Sequence, residues 1–293
     1  MILEETFTLA NGVKIPKLGL GTWRIADADT TRVVREAIEI GYRHIDTAQA
    51  YGNEHGVGEG LRASGVPRDR IFVTTKLAAE CKSHAEARDR IDGSLRALGL
   101  DHIDLMLIHS PQPWAEFRAG EHFFEGNLAA WRALEEAYRA GKLRAIGVSN
   151  FERADLDNLL DNGSIAPMVN QILAHVGNTP FDLIEYSRSR NMLVEAYSPV
   201  AHGAVLGNVA LGALASKYGV SIAQLCIRYC LQLGLLPLPK TTNAAHVRDN
   251  AAVDFIISKA DMETMARADN NTDYGEAGAF PVFGKRRVIA ASQ

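Results

Sequence analysis

The stretch GYRHIDTAQAYGNEHGVGEGLRASGVPRDRIFVTTK, Gly41–Lys76, decides how the rest of the chain is read. A short strand candidate at Arg43–Thr47, centred on Ile45, is followed by a segment of helical spacing, Glu54–Ala63, and then by a β-branched run, Phe72–Lys76. Strand, helix and strand at these lengths make a crossover unit, which demands a parallel sheet buried on both faces. Working outward, the same alternation places strands at LGLGT from Leu18, IDLMLIH from Ile103, AIGVSN from Ala145, VNQIL from Val169, LVEAYS from Leu193 and LLPLPK from Leu235. Helical spacing recurs at Thr31–Ile40, Ala85–Leu98, Leu128–Ala140, Ala154–Leu160 and Ser221–Gln232, and more weakly at Phe181–Arg190 and His246–Phe255. Eight strands joined by crossovers predict an α/β fold, a single (β/α)8 barrel domain over residues 1–293, in preference to an open doubly wound sheet. Ahead of it, FTLANGVKIP from Phe7 alternates around Asn11-Gly12 and predicts a β-hairpin lying over the N-terminal end of the barrel. Gly120–Gly126 and Asp269–Gln293 fall outside the repeat and read as loops, the second as a C-terminal substrate loop.

A chain of 293 residues with 47% hydrophobic and 23% charged residues has the balance of a soluble globular protein. Its 31 Lys and Arg against 35 Asp and Glu give a net charge of −4, so neither nucleic acid nor another polyanion is expected as a partner. Glu4 and Glu5 stand where a secretion signal carries basic charge, and no apolar run reaches the roughly 18 residues of a membrane span. Cys81, Cys226 and Cys230 make no disulfide framework, and the expected location is the reducing cytoplasm. The nine His and three Cys contain no H-E-x-x-H and no paired C-x2-C, so no metal site is expected. Gly56-x-Gly58-x-Gly60 has the wrong spacing for a dinucleotide fingerprint and falls within a helix.

Barrel enzymes carry their chemistry at the carboxyl ends of strands. Here the second strand ends at Asp46, with Tyr51 just beyond, the third at Lys76 and the fourth at His109. Singly, each has a structural reading as a helix cap, a solvated loop end or a satisfied core group. Four on adjacent corners of one face suit proton donation by a phenol. An ammonium beside tyrosine favours the phenolate and is expected to lower a pKa of about 10, Asp46 would orient Lys76, and His109 would hydrogen-bond a carbonyl oxygen.

These residues also carry a resemblance. G-Y-R-H-I-D-T-A-x-x-Y-G-N-E at Gly41–Glu54 and V-T-T-K-L at Val73–Leu77 resemble the aldo-keto reductase family, specifically its bacterial aldehyde/ketone or 2,5-diketogluconate reductase-like members. L-G-L-G-T-W at Leu18–Trp23, I-D-L-M-L-I-H-S-P at Ile103–Pro111, G-K-L-R-A-I-G-V-S-N-F at Gly141–Phe151, N-Q at Asn170–Gln171, A-Y-S-P at Ala196–Pro199 and L-P-K-T at Leu238–Thr241 extend it over nearly the whole chain. The resemblance implies an NADPH-dependent reductase of aldehyde or ketone carbonyls with Tyr51 as acid, Lys76 and Asp46 as its tuning pair and His109 orienting a small-molecule substrate. It further implies that Ser149, Asn150 and Gln171 hold the nicotinamide carboxamide and that Tyr197 stacks on the ring. Gly21, Thr22, Ser198, Lys240, Thr241, Thr242, His246, Asp249 and Asn250 would lie along the rest of the cofactor. His246 stands where members preferring the phosphorylated cofactor carry Arg. An imidazole is a weaker phosphate clamp than a guanidinium, so NADH is expected to be accepted as well.

Trp23, Trp114 and Phe280 are the expected pocket walls. Ala78 and Ser110 replace the tryptophans that many members carry, which predicts a wider, less aromatic pocket. Two other readings stay open: a Schiff-base aldolase using Lys76, and a non-catalytic or regulatory barrel that binds nicotinamide without turnover.

Overall fold

The computed structural model describes residues 1–268 and 273–284. The remaining parts of the expected C-terminal loop, 269–272 and 285–293, lie outside the described residues. A hairpin comes first, β1 (Thr6–Thr8) against β2 (Lys14–Pro16), with Phe7 opposite Ile15. Asn11 in its turn donates to the Arg144 carbonyl at 2.9 Å, and Ile15 is fully buried. Because Arg144 just precedes a barrel strand, the hairpin covers the amino-terminal end, as expected.

The barrel follows as β3 (Leu20–Gly21), β4 (His44–Asp46), β5 (Phe72–Leu77), β6 (Leu105–Ile108), β7 (Ile146–Ser149), β8 (Val169–Leu173), β9 (Leu193–Tyr197) and β10 (Leu236–Leu238). Neighbours in sequence are parallel neighbours in the sheet throughout. The Gly19 and Gly21 amides donate to the Pro237 and Pro239 carbonyls at 3.3 and 3.0 Å, which brings the first and last strands together. Helices α1 (Asp27–Ile40), α2 (Glu54–Ala63), α3 (His84–Leu98), α4 (Phe124–Arg139), α5 (Arg153–Asn162) and α6 (Phe181–Ser189) fill the first six crossovers. Between β9 and β10 come two helices, α7 (Val209–Tyr218) and α8 (Ile222–Gln232), and β10 is followed by α9 (Ala244–Ala251) and α10 (Lys259–Ala266).

Several elements differ from expectation: α1 and α9 start earlier, and α10 has no counterpart in the sequence reading. Helix α4 starts at Phe124, inside the segment read as a loop, because Phe123 precedes a turn whose Asn127 side chain is buried and donates to the Pro111 carbonyl. Helix α7 was not anticipated, since VALGALASKY is rich in small apolar residues on every side and carries almost no periodicity. By contrast α8 starts where Ser221 and Gln224 form a reciprocal capping box, a signal visible in sequence. The three glycines of α2 serve packing. A Cβ at Gly56 would come within 2.5 Å of the Asp27 carbonyl oxygen, and one at Gly58 within 2.1 Å of that of Leu98.

Candidate active site

At the carboxyl ends of the strands lies a cavity of about 1050 Å³ whose wall includes Gly21, Trp23, Asp46, Tyr51, His109, Trp114, Ser149, Asn150, Gln171, Tyr197, Ser198, Lys240 and Phe280. Just outside that wall, the Lys76 ammonium is fully buried and donates to Asp46 Oδ1 at 2.7 Å and to the Thr47 carbonyl at 2.8 Å. It also reaches Tyr51 Oη at 3.5 Å. All six residues of strand β5 are buried, so the lysine has no route to solvent and is held inside the barrel. Burial works against its charge, but Asp46, followed by Tyr51 and Glu195, outweighs that and holds its pKa above the ordinary range.

The Tyr51 phenol corrects the expectation. Burial pushes its pKa up and outweighs the opposing pull of Lys76, while Asp46 acts in the same direction as burial. A raised pKa keeps the proton on the oxygen, which is the state a proton donor must start from. The His109 imidazole is pushed well below its ordinary range by burial and by Lys76, so it is neutral at pH 7. Its Nδ1 is buried without a partner among the described residues. The ring sits 5.6 Å from that of Tyr51 and 5.1 Å from that of Trp114.

Beside this quartet, Tyr197 Oη donates to Asn150 Oδ1 at 2.7 Å, and Asn150 Nδ2 donates to Ser149 Oγ and the His109 carbonyl at 3.0 and 3.1 Å. The Ser149 hydroxyl donates to the Gln171 carbonyl at 2.9 Å. Gln171 Nε2 donates to Asp46 Oδ2 at 2.9 Å and to Glu195 Oε2 at 2.7 Å. At the other end of the cavity lie Arg24 and Lys240. Burial and then Arg24 lower the Lys240 pKa, and Lys240 has no ion pair among the described residues. Arg24 itself stands 3.8 Å from Glu276, a residue of the C-terminal segment. That segment is held by Tyr274, which meets His175 Nε2 at 3.0 Å and accepts from Asn178 Nδ2 at 3.1 Å.

Several expected residues are placed elsewhere. Ala78 and Ser110 are buried and absent from the cavity wall, and the Ser110 hydroxyl accepts from the Gln112 amide behind it. Trp114, four residues past Ser110, brings an indole onto His109 from the next turn, and it packs on Phe280 at 5.1 Å. Thr22 is buried, donating to the Asp46 carbonyl. Thr241, Thr242, His246, Asp249 and Asn250 are not among the wall residues and lie at or beside α9, where His246 is exposed. Sequence reasoning missed Arg24, Glu80, His202 and Phe283 in the wall and Glu195 beneath it. Only Arg24, directly after the G-T-W run, carries a signal that the motif could have provided.

The residues suit a nicotinamide dinucleotide. The unpaired Lys240, with Arg24 near it, fits phosphates, and the Tyr51 and His109 end, with its buried proton donors, fits a carbonyl. Gly21 lies in the wall, and a Cβ there would press to 3.3 Å from the Leu238 carbonyl oxygen, so close packing of β3 on the segment leading to Lys240 keeps this residue small.

Comparison with known proteins agrees with this geometry. A model of the Aldo/keto reductase family matches residues 17–270. The chain is 41% identical over 273 residues to the 9,11-endoperoxide prostaglandin H2 reductase of Trypanosoma cruzi, covering 92% of this chain and 93% of that protein. It is 39% identical to the glyoxal reductase of Bacillus subtilis, covering 89% and 91%. Among solved structures, a Bombyx mori aldo-keto reductase in complex with NADP superposes with a TM-score of 0.84 at 32% identity, covering 96% of this chain and 99% of that one.

Proposed function

Because this chain belongs to the aldo/keto reductase family of oxidoreductases, we propose that it binds NADPH and reduces the carbonyl of a small aldehyde or ketone to an alcohol, with Tyr51 as the general acid. The observation that carries this reading is the buried run from Asp46 through Lys76 to Tyr51, ending at the cavity beside a neutral His109. When bound, the nicotinamide supplies the hydride, and Ser149, Asn150, Gln171 and Tyr197 would hold its ring end while Ser198, Lys240 and Arg24 face its phosphates. His109 donates an N–H to the carbonyl oxygen and polarises it. As negative charge develops there, Tyr51 Oη gives up its proton, and the Lys76 ammonium at 3.5 Å stabilises the phenolate left behind. Asp46 keeps that ammonium in place.

The aldolase reading needs a neutral lysine as nucleophile. Lys76 is held in its charged form by Asp46, which argues against that reading. The same proposal takes residues 1–293 as one domain. It places the protein in the cytoplasm, consistent with three buried cysteines that form no disulfide. Among the described residues no single helix is long and apolar enough to cross a membrane.

The test is a screen of NADPH and NADH consumption against dicarbonyls such as glyoxal and methylglyoxal, simple aldehydes, ketones and keto-sugars. Turnover of at least one class with NADPH supports the reading. A chain that binds NADPH and turns over none of them is a binding protein, and borohydride trapping of substrate on Lys76 would establish the aldolase instead.

A further inference from the structure

Strand β9 reads Leu193-Val194-Glu195-Ala196-Tyr197, and its central residue is a carboxylic acid that is 0% exposed. A buried acid is costly unless the fold pairs it or the function requires it. Glu195 lies beside Gln171 in the parallel register of β8 and β9, beneath the cavity and outside its wall. Its Oε2 accepts from Gln171 Nε2 at 2.7 Å, and its Oε1 is buried with no partner among the described residues.

The interior around it holds Asp46 from β4 and Lys76 from β5 as the other charged groups. One ammonium faces two acids, and Asp46 has taken it at 2.7 Å. The second acid therefore keeps its proton: burial, and then Asp46, push the Glu195 carboxyl up to about 8.

The consequence falls on Gln171. A side-chain amide offers two N–H donors and one oxygen acceptor. Here both donors point down, one to Asp46 and one to Glu195. No hydrogen bond among the described residues engages Oε1, and Gln171 lines the cavity. With Asp46 alone below it, the amide would keep one N–H free to compete for a ligand's carbonyl oxygen.

We propose that Glu195 is a positioning residue that, by taking the second amide proton of Gln171, makes Gln171 a pure hydrogen-bond acceptor toward the cavity and so selects the N–H side of the nicotinamide carboxamide. The proposal rests on the reductase reading above. It makes Glu195 the device that fixes which way the carboxamide turns.

The experiment measures equilibrium binding, by quenching of the cavity tryptophans, of NADP⁺ and of its 3-acetylpyridine analogue, which keeps the carbonyl and has no N–H. The variants are Glu195→Gln, which still offers Gln171 an acceptor, and Glu195→Leu, which does not. Wild type and Glu195→Gln should both favour NADP⁺ over the analogue. Glu195→Leu should lose about tenfold in NADP⁺ affinity, the scale of one hydrogen bond, with the analogue changed by less than about threefold. Should Glu195→Leu not fold, Glu195→Thr serves the same purpose, being strand-favouring and too short to reach Gln171. Equal losses for both ligands, no discrimination in wild type, or Glu195→Gln behaving as Glu195→Leu would each overturn the role of Glu195. Failure of the wild-type chain to bind NADP⁺ at all would overturn the reductase reading itself.

Discussion

The two ends of this barrel each bury a carboxylate against cations, and they use the pair in opposite ways. At the amino-terminal end Asp104 is 0% exposed and accepts from Arg68 at 2.5 Å, Arg144 at 2.6 Å and the Val73 amide at 2.9 Å. Arg68 is in turn tied to the Ile71 and His102 carbonyls, and the hairpin's Asn11 is bound to the Arg144 carbonyl beside it. Both oxygens of the acid are used, and Arg68 Nε is left as a buried donor with no hydrogen-bond partner among the described residues. At the carboxyl end Asp46 and Lys76 are just as buried, but the groups around them keep open valences: a phenol and His109 facing a cavity, and one buried oxygen of Glu195. A closed ion pair of this kind contributes to holding the fold, whereas a pair left open on one side is available to a ligand.

That contrast is most easily broken by single substitutions at each end. Tyr51→Phe should cost about 10²–10⁴-fold in kcat, the usual worth of a general acid, with NADPH affinity within a few fold of wild type and the melting temperature little changed. Lys76→Met should lose a comparable amount. Wild-type turnover in either variant, read from NADPH consumption, would remove the acid from the mechanism. Asp104→Leu should do the reverse. Stranding Arg68 and Arg144 without their partner should cost about 3–5 kcal/mol of stability in urea unfolding while the folded fraction keeps its kcat. If activity per folded molecule falls instead, the two ends are coupled.

A subtler difference separates them in pH. Glu195 has its carboxyl raised from 4.5 to about 8 in the folded chain. Between those values the unfolded chain ionises while the folded one keeps the proton, so this group's stabilising effect is complete below about pH 4.5. It is lost as pH rises toward 8, by at most about 1.4 kcal/mol per unit. Glu195→Gln should remove that slope and gain stability relative to wild type at pH 8 compared with pH 5. Parallel stability curves for the two proteins would show that Glu195 is ionised throughout.

The smallest expected effect lies at the rim. His246, exposed on α9 where an arginine would clamp the cofactor's 2′-phosphate, should allow NADH to be used beside NADPH. His246→Arg should then raise the NADPH preference by several fold in the ratio of KM values. A wild-type preference already above about 10³-fold would mean that another group holds the phosphate.

The sequence by itself determined the barrel and its chemistry-bearing face. Eight short apolar runs separated by helical spacing admit few other folds, and Asp46, Lys76 and His109 sit at the ends of runs whose direction is fixed once the sheet is parallel. Tyr51 was legible because its motif places it directly beyond such an end. What tertiary structure alone decided are the contacts between segments distant along the chain. Glu195 is one alternating residue of an ordinary strand until β8 brings Gln171 to it across 24 positions of sequence and β4 brings Asp46 to the same Gln171 across 125. The indole over His109 comes from Trp114, and the side chain of Ser110, beside the histidine, turns inward. The net direction of the Tyr51 shift is likewise tertiary, because burial is a property of everything packed around a group and outweighs the one neighbour that the motif supplies. Periodicity reports which face of an element is apolar. It carries no record of which other element will meet that face, and the polar groups of a site are defined by that meeting.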